Sequence, residues 1–256
     1  MRKTNKWDVS PITSLRSGRR ILEIVADIRK RYPHDEFFSS FESSCQTHPS
    51  KKKSYRAYND ALMVLDDESW QILKCKALEH YMDHRKGQKK QGFFNQLNEA
   101  FAYRYLVRKG YKDVRFIKED KRKKSPDIRF SVHNAPSCCE VKTLCISDDL
   151  VNRRNTIAVF HGSDYVRLND GFLKKFRDAV NTAREQICAF GSNGLVYVII
   201  NFDDFTLDYY QNYKKQLIAF SKNHKFDDLF IKIGEHGNKS ICITRRSTGR
   251  AKAARR

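Results

Sequence analysis

The sequence lacks any apolar run of about 18 residues, the length that a membrane-spanning helix requires. Its first residues lead into Trp7 and Asp8 rather than into an apolar stretch, so we expect no secretory signal. These two absences predict a cytoplasmic protein that has no membrane partner.

Several catalytic motifs are also missing. The chain contains no G-x-x-x-x-G-K loop for nucleotide phosphates and no G-x-S-x-G elbow for a nucleophilic serine. His80 and His84 stand four residues apart, but Tyr81 occupies the position of the glutamate in an H-E-x-x-H zinc motif. The sequence therefore gives no support to P-loop, triad or zinc-protease chemistry.

Cysteine is present in an odd number, 7, and without a repeated spacing, which excludes a disulfide framework. Three cysteines lie near His133, but no C-x2–4-C pair occurs, so we expect no zinc site. The four isolated cysteines are predicted to be small buried residues in a reducing cytosol: Cys45, Cys75, Cys188 and Cys242.

Acidic residues are scarce relative to basic ones. The chain has 50 Lys and Arg against 30 Asp and Glu, a formal net charge of +20. Such an excess favours a polyanionic partner, because cations that neutralise phosphates release condensed counterions. A ribosome-like or membrane-surface protein has the same charge, so charge alone identifies no partner.

The first 90 residues form a basic and mainly helical region. Apolar spacing predicts a helix from Leu15 to Tyr32 and a second helical region from Asn59 to Arg85, with Asp66 or Asp67 as an internal cap. Between them, serines, Pro49 and three consecutive lysines predict a mobile loop from Pro33 to Tyr58, one end of which Phe37, Phe38 and Phe41 would attach to a core. A charged run from Arg85 to Gly92 predicts a domain boundary.

Acidic residues and a lysine fall at fixed positions on two predicted strands. Asp127 follows Pro126 at the start of a strand that alternates apolar and polar residues to Val132. After a turn, Glu140 and Lys142 stand two residues apart, so their side chains leave the next strand on the same face. Antiparallel pairing would bring Asp127 to the same place.

Other elements surround these strands. We predict a helix from Phe93 to Lys109, a strand from Val114 to Ile117, a helix between Leu173 and Phe190, and a buried strand from Leu195 to Phe202. A further helix, a hairpin and a basic tail complete the chain.

Pro126-Asp127 and Glu140-Val141-Lys142 resemble the motif of the PD-(D/E)XK nuclease superfamily. The resemblance implies an α/β fold with a restriction-endonuclease-like core, αβββαβ, in which helices flank a mixed central sheet. That core would occupy residues 91–246, after an N-terminal helical region at 1–90 and before a basic tail at 247–256. A pair of surface strands that carry a solvated salt bridge is the alternative.

The resemblance also implies a Mg²⁺ or Mn²⁺ site. Asp127, Glu140 and the carbonyl of Val141 would hold the cation, and Lys142 would assist catalysis. Members of the superfamily often add an acid from the first core helix, for which Glu99 is the candidate. A solvated helix glutamate is the alternative for Glu99.

Basic residues near this motif are candidates for contact with a nucleic-acid backbone. A hairpin loop and a long connection would place six of them along the active edge: Lys121, Arg122, Lys123, Lys124, Arg153 and Arg154. Members of the superfamily often carry a glutamine or a basic residue on the next helix near the site, so the resemblance adds Arg184 and Gln186.

The sequence thus predicts a metal-dependent deoxyribonuclease, in particular an endonuclease. Its predicted biological role is in defence, in a mobile element or in DNA repair. RNA is an alternative substrate. Two further alternatives are an inactive nucleic-acid-binding protein with the same fold and a basic assembly protein with a different fold. The oligomeric state stays open, with a homodimer among the possibilities.

Overall fold

The structure, a computed structural model, describes residues 19–84, 89–118, 124–145, 166–201, 209–233 and 239–243. The chain divides into two compact units, residues 1–110 and 111–256. This division differs from the predicted boundary at residue 90, because the helix that follows residue 90 belongs to the first unit. Among the described residues, no helix is both long and apolar enough to span a membrane.

The described part of the first unit consists of helices. Asp66 caps the fourth of them, as predicted, and its carboxylate accepts a hydrogen bond from the Ser69 amide at 3.1 Å. The helices are α1 (Arg19–Arg31), α2 (Phe41–Thr47), α3 (Pro49–Leu62), α4 (Asp67–Glu79) and α5 (Gln91–Arg108).

The loop predicted from Pro33 to Tyr58 is wrong, because α2 and the first ten residues of α3 lie within it. Pro49 begins α3, where its missing amide hydrogen costs nothing, rather than interrupting a helix. Phe38 and Phe41 are buried and pack against the ring of Tyr55, which fixes both short helices to a common core.

Ion pairs connect the helices of the first unit. Lys76 of α4 pairs with Glu99 of α5, and both residues are buried. The other pairs between helices and their connections are Arg20–Asp67, Arg29–Glu42, Lys74–Glu23, Lys74–Asp27 and Lys90–Asp35.

The second unit contains a mixed six-stranded sheet, in which the strands lie in sequence order. The first three strands form an antiparallel meander, β3, β4 and β5 are parallel, and β6 returns antiparallel to β5. The strands are β1 (Lys112–Phe116), β2 (Ile128–Val132), β3 (Ala135–Cys145), β4 (Asn193–Asn201), β5 (Leu229–Ile233) and β6 (Lys239–Ile243).

Local sequence explains the connections between the strands that matter here. His133 and Asn134 both have positive φ, which is the backbone of a two-residue hairpin turn between β2 and β3. Gly194 allows β4 to approach β3, because a Cβ atom there would lie 2.0 Å from the carbonyl oxygen of Cys138. The central strand β4 is buried from Val196 to Ile200, as predicted.

Two helices, α6 (Asp170–Ala189) and α7 (Tyr210–Asn223), pack on one face of the sheet. The apolar residues Phe176, Val180 and Ile187 of α6 meet Val196 and Val198 of β4 in a common core. The second unit is therefore a mixed α/β fold with helices against the sheet. The finer, restriction-endonuclease-like assignment stays a prediction.

The cysteines correct one expectation. All seven are free, and Cys45 is buried as predicted, but Cys75, Cys188 and Cys242 are exposed. They lie on the outer sides of α4, α6 and β6, where helix or strand position rather than residue type decides exposure.

Candidate active site

Strand β3 carries the second acid and the lysine on the face that α6 covers. Cys138 and Leu144 belong to the core beneath α6. Glu140 and Lys142 lie between them at alternate positions of the strand, so all four side chains leave β3 on the same face. Glu140 is 3% exposed. The alternative of a solvated surface salt bridge is therefore wrong.

Asp127 lies at the entrance of β2, directly before the first paired residue. Ile128 pairs with Cys139, so continuation of this antiparallel register sets Asp127 opposite Glu140. Its Oδ2 atom accepts a hydrogen bond of 2.8 Å from the Val141 amide. The structure thus brings the two acids together, as the strand pattern predicts.

Lys142 links the acids to α6. Its Nζ atom donates to Glu140 Oε1 at 2.6 Å and to Gln186 Oε1 at 2.8 Å. Gln186 therefore contacts the lysine of the site through its amide oxygen. Its role as a nucleic-acid contact stays a prediction.

The electrostatics of Glu140 are unusual. Burial, together with the neighbouring charge of Asp127 and against the opposing effect of Lys142, raises the pKa of Glu140 from its ordinary value of 4.5 to about 7. Its Oε2 atom is buried and receives no hydrogen bond from a donor among the described residues, while a hydrogen-bonding contact with the Asp127 carboxyl adds to the rise in pKa. An unsatisfied buried carboxylate oxygen is costly and therefore calls for an explanation.

A divalent cation fits this arrangement. Carboxylate and carbonyl oxygens are the ligands of Mg²⁺, which needs only one or two protein carboxylates because it keeps several waters. The Val141 amide points to Asp127, and within a strand the carbonyl of the same residue points to the same side. Asp127, Glu140 and the Val141 carbonyl are thus the groups that would hold the cation.

No group of three or more His, Cys, Asp or Glu side chains is found together within the described ranges. The acids of the site form a pair there. A pair suffices for Mg²⁺ or Mn²⁺ but not for a closed zinc site, which takes four protein ligands.

Glu99 is buried in an ion pair, which contradicts one of its two sequence-based interpretations. It is 6% exposed, so the solvated alternative is wrong, and both of its carboxylate oxygens accept hydrogen bonds from Lys76, at 3.0 and 3.1 Å. These contacts give Glu99 a structural role within the first unit. Its role as a metal ligand stays an untested prediction.

Two of the remaining predicted nucleic-acid contacts, Lys124 and Arg184, lie within the described residues. Lys124 is exposed just before Pro126. Arg184 donates to the Lys225 carbonyl at 3.4 Å and lies over the Phe226 ring, beside a cavity of about 340 Å³, so the structure separates it from Gln186. Lys121, Arg122, Lys123, Arg153 and Arg154 lie outside the described residues.

Residue spacing did not reveal which flank of α6 faces the site. Ala183 and Ile187 mark the buried stripe of this helix, and Gln186 and Arg184 lie on opposite sides of it. The sequence could locate both flanks, but only the position of β3 selects the one that carries Gln186.

Comparison of the chain with protein-family models, curated proteins and solved structures gives no match.

Proposed function

We propose that this protein is a metal-dependent nuclease of the PD-(D/E)XK type that hydrolyses phosphodiester bonds in DNA. The observation that carries the proposal is the convergence of Asp127, Glu140 and Lys142, with one Glu140 oxygen buried and unsatisfied. The order helix, three antiparallel strands, helix and parallel strand is consistent with the core that this superfamily uses.

The two acids hold the cation in this proposal. Asp127 is fixed by the Val141 amide and Glu140 by the Lys142 ammonium, and the two carboxylates together would hold the cation. A bound Mg²⁺ or Mn²⁺ supplies the polarisation of the phosphate and the activation of a water. The pKa of about 7 means that Glu140 reaches its metal-binding, ionised form near neutral pH.

Lys142 acts on the reacting phosphate rather than on the cation. Its side chain is 24% exposed, so the ammonium can reach a substrate while it remains bonded to Glu140. It stabilises the developing negative charge or orients the attacking water. Gln186 restricts the ammonium to one position, which lowers the cost of ordering it at each turnover.

DNA is the proposed substrate because the chain combines this site with a net charge of +20. Lysine and arginine neutralise phosphates without regard to base sequence, so the charge supports binding to a polyanion in general. The acid pair then selects phosphodiester hydrolysis as the reaction.

The test is incubation of the full chain with supercoiled plasmid and with linear DNA in Mg²⁺, in Mn²⁺ and in EDTA. We expect cleavage with either metal and none in EDTA. Nicked or linearised plasmid identifies an endonuclease, and loss of linear DNA from its ends identifies an exonuclease.

A pair of glutamate variants separates catalysis from contamination and from binding. Glu140→Ala should abolish cleavage while DNA affinity in EDTA persists or rises, because it removes a negative charge near phosphate. Glu185→Ala, at an exposed glutamate of α6, is the matched control and should cleave normally. A folded Glu140→Ala protein that cleaves as fast as the parent contradicts the proposal.

A further inference from the structure

Helix α3 carries a cluster of basic residues that the fold does not use. Lys51, Lys52, Lys53 and Arg56 are exposed on its first two turns; we call them the α3 basic face. The other end of the helix is buried through Ala61 and Leu62. That packing fixes the orientation of the exposed end, which carries the α3 basic face.

Five other cations of the first unit contrast with this cluster. Arg20, Arg29, Lys74, Lys76 and Lys90 each form an ion pair with a carboxylate. Within the described residues, none of the four cations of the α3 basic face forms such a pair. Their charge is available to a partner.

Their position on the helix is also unfavourable for the isolated fold. The positive end of a helix dipole lies at its N-terminus, so cations there reduce stability. Helix α3 has no acidic residue in its first turn that could offset the cations at its start, and no basic residue in its last turn. The α3 basic face costs the fold stability that an anionic partner would restore.

We propose that the α3 basic face is a docking surface for the phosphate backbone of double-stranded DNA. From Lys51 to Arg56 the helix rises about 7.5 Å, which matches two or three successive phosphates of one strand. The contact is with phosphates, so it adds affinity without sequence preference. It lies in the first unit, whereas the acid pair lies in the second.

The chemistry of the surface favours DNA over a membrane. A helix that lies in a membrane interface needs a broad apolar face beside its basic residues. The outward residues of α3 around the cluster are polar, and the apolar ones pack inward. Charge complementarity with a polyanion is thus the recognition that this surface offers.

The test is the affinity of the full chain for a DNA duplex, measured by fluorescence anisotropy in EDTA across a range of salt concentrations. The quadruple variant K51Q/K52Q/K53Q/R56Q should bind at least about tenfold more weakly near physiological salt. Its slope of log K against log salt should be smaller by about 2 to 3. Thermal stability should be unchanged or higher. Measurement in EDTA keeps this result independent of cleavage.

A scattered variant is the matched control, since K30Q/K109Q/K215Q/K222Q removes the same charge from exposed positions elsewhere. Equal weakening by the two variants overturns the proposal, because it would show only an effect of net charge. Loss of binding to phosphatidylserine vesicles with unchanged DNA affinity also overturns it. If the quadruple variant does not fold, K51Q/K52Q applies the same test with a smaller expected change.

Discussion

Each unit contains a lysine–glutamate pair whose carboxylate is buried, and the two pairs differ in how that carboxylate is hydrogen-bonded. In the first unit, Lys76 donates to both oxygens of Glu99. In the second unit, Lys142 donates to one oxygen of Glu140 only, and the other oxygen is buried and receives no hydrogen bond from a donor among the described residues. In the first pair the lysine therefore donates to both oxygens of the glutamate, and in the second pair it donates to only one.

The difference separates a structural ion pair from a functional one. A buried pair that satisfies its hydrogen bonds holds helices in register, and removal of one partner leaves an uncompensated charge. A buried carboxylate that keeps an oxygen free raises the energy of the isolated fold, and a ligand can recover that energy. The second unit thus holds Glu140 in a state that favours a cation.

The largest expected effect comes from replacement of the lysine in the second pair. Lys142→Ala should lower the rate of DNA cleavage by about a hundredfold to a thousandfold, because the charge beside the reacting phosphate is lost. Mg²⁺ binding, measured by calorimetry, should persist because Asp127 and Glu140 remain. Cleavage within threefold of the parent would show that Lys142 belongs to the structure alone.

Replacement of the acid in the first pair should change stability instead. Glu99→Ala leaves Lys76 buried without its carboxylate, so the free energy of unfolding should fall by about 3 to 5 kcal/mol. The measurement is denaturant unfolding, with Glu79→Ala at an exposed position of α4 as the control.

Cleavage per folded molecule decides whether the two pairs are as different as the structure indicates. We expect Glu99→Ala to cleave at a near-normal rate under conditions where it is folded. A strong loss of activity in the folded variant would instead make Glu99 a third metal ligand and remove the contrast between the pairs.

The pH dependence of stability provides a third test. The pKa of Glu140 is about 7 in the folded protein against an ordinary 4.5, so between these values the folded state holds a proton that the unfolded state has lost. The contribution of Glu140 to the free energy of unfolding should therefore fall by about 3 kcal/mol as pH rises from 4.5 to 7. Above pH 7 this group should add no further change.

Denaturant unfolding in EDTA measures this slope, and Glu140→Gln isolates it because glutamine does not titrate. The difference between parent and variant should depend on pH over that window. Added Mg²⁺ should stabilise the parent at pH 8 but have little effect on Glu140→Gln, since bound metal requires the ionised acid. A parent and variant with parallel pH profiles would contradict the raised pKa.

The smallest expected effect distinguishes the two flanks of α6. Gln186→Ala should lower the rate of cleavage by about tenfold, because Lys142 loses the contact that restricts its ammonium. A tenfold loss of rate corresponds to about 1.4 kcal/mol of activation free energy. Arg184→Ala should stay within about twofold, since its contacts are with the Lys225 carbonyl and the Phe226 ring. Equal losses would mean that both residues act on bound DNA.

Much of the second unit could be predicted from local patterns. Alternation of apolar residues located β2, Pro126 marked its start, and the spacing of Glu140 and Lys142 placed both on one face of β3. Strand parity is a property of the backbone, so no distant residue is needed to establish it. The helical stripe of α6 and the buried run of β4 follow from the same local rules.

The first unit was harder to predict because its short helices depend on distant partners. The segment from Pro33 to Tyr58 looks like a loop by composition, yet Phe38, Phe41 and Tyr55 share a core that makes α2 and α3 helical. Local propensity is a weak signal in such short elements, and tertiary packing overrides it.

The sequence by itself determined that an acid, a second acid and a lysine would meet on neighbouring strands, because backbone geometry alone dictates which side chains share a face. Only the tertiary structure decided what surrounds them. The depth of burial, the pKa of Glu140, its unsatisfied oxygen and the contact with Gln186 arise when α6 covers β3. These properties belong to the environment of a residue, which residues distant in the chain supply.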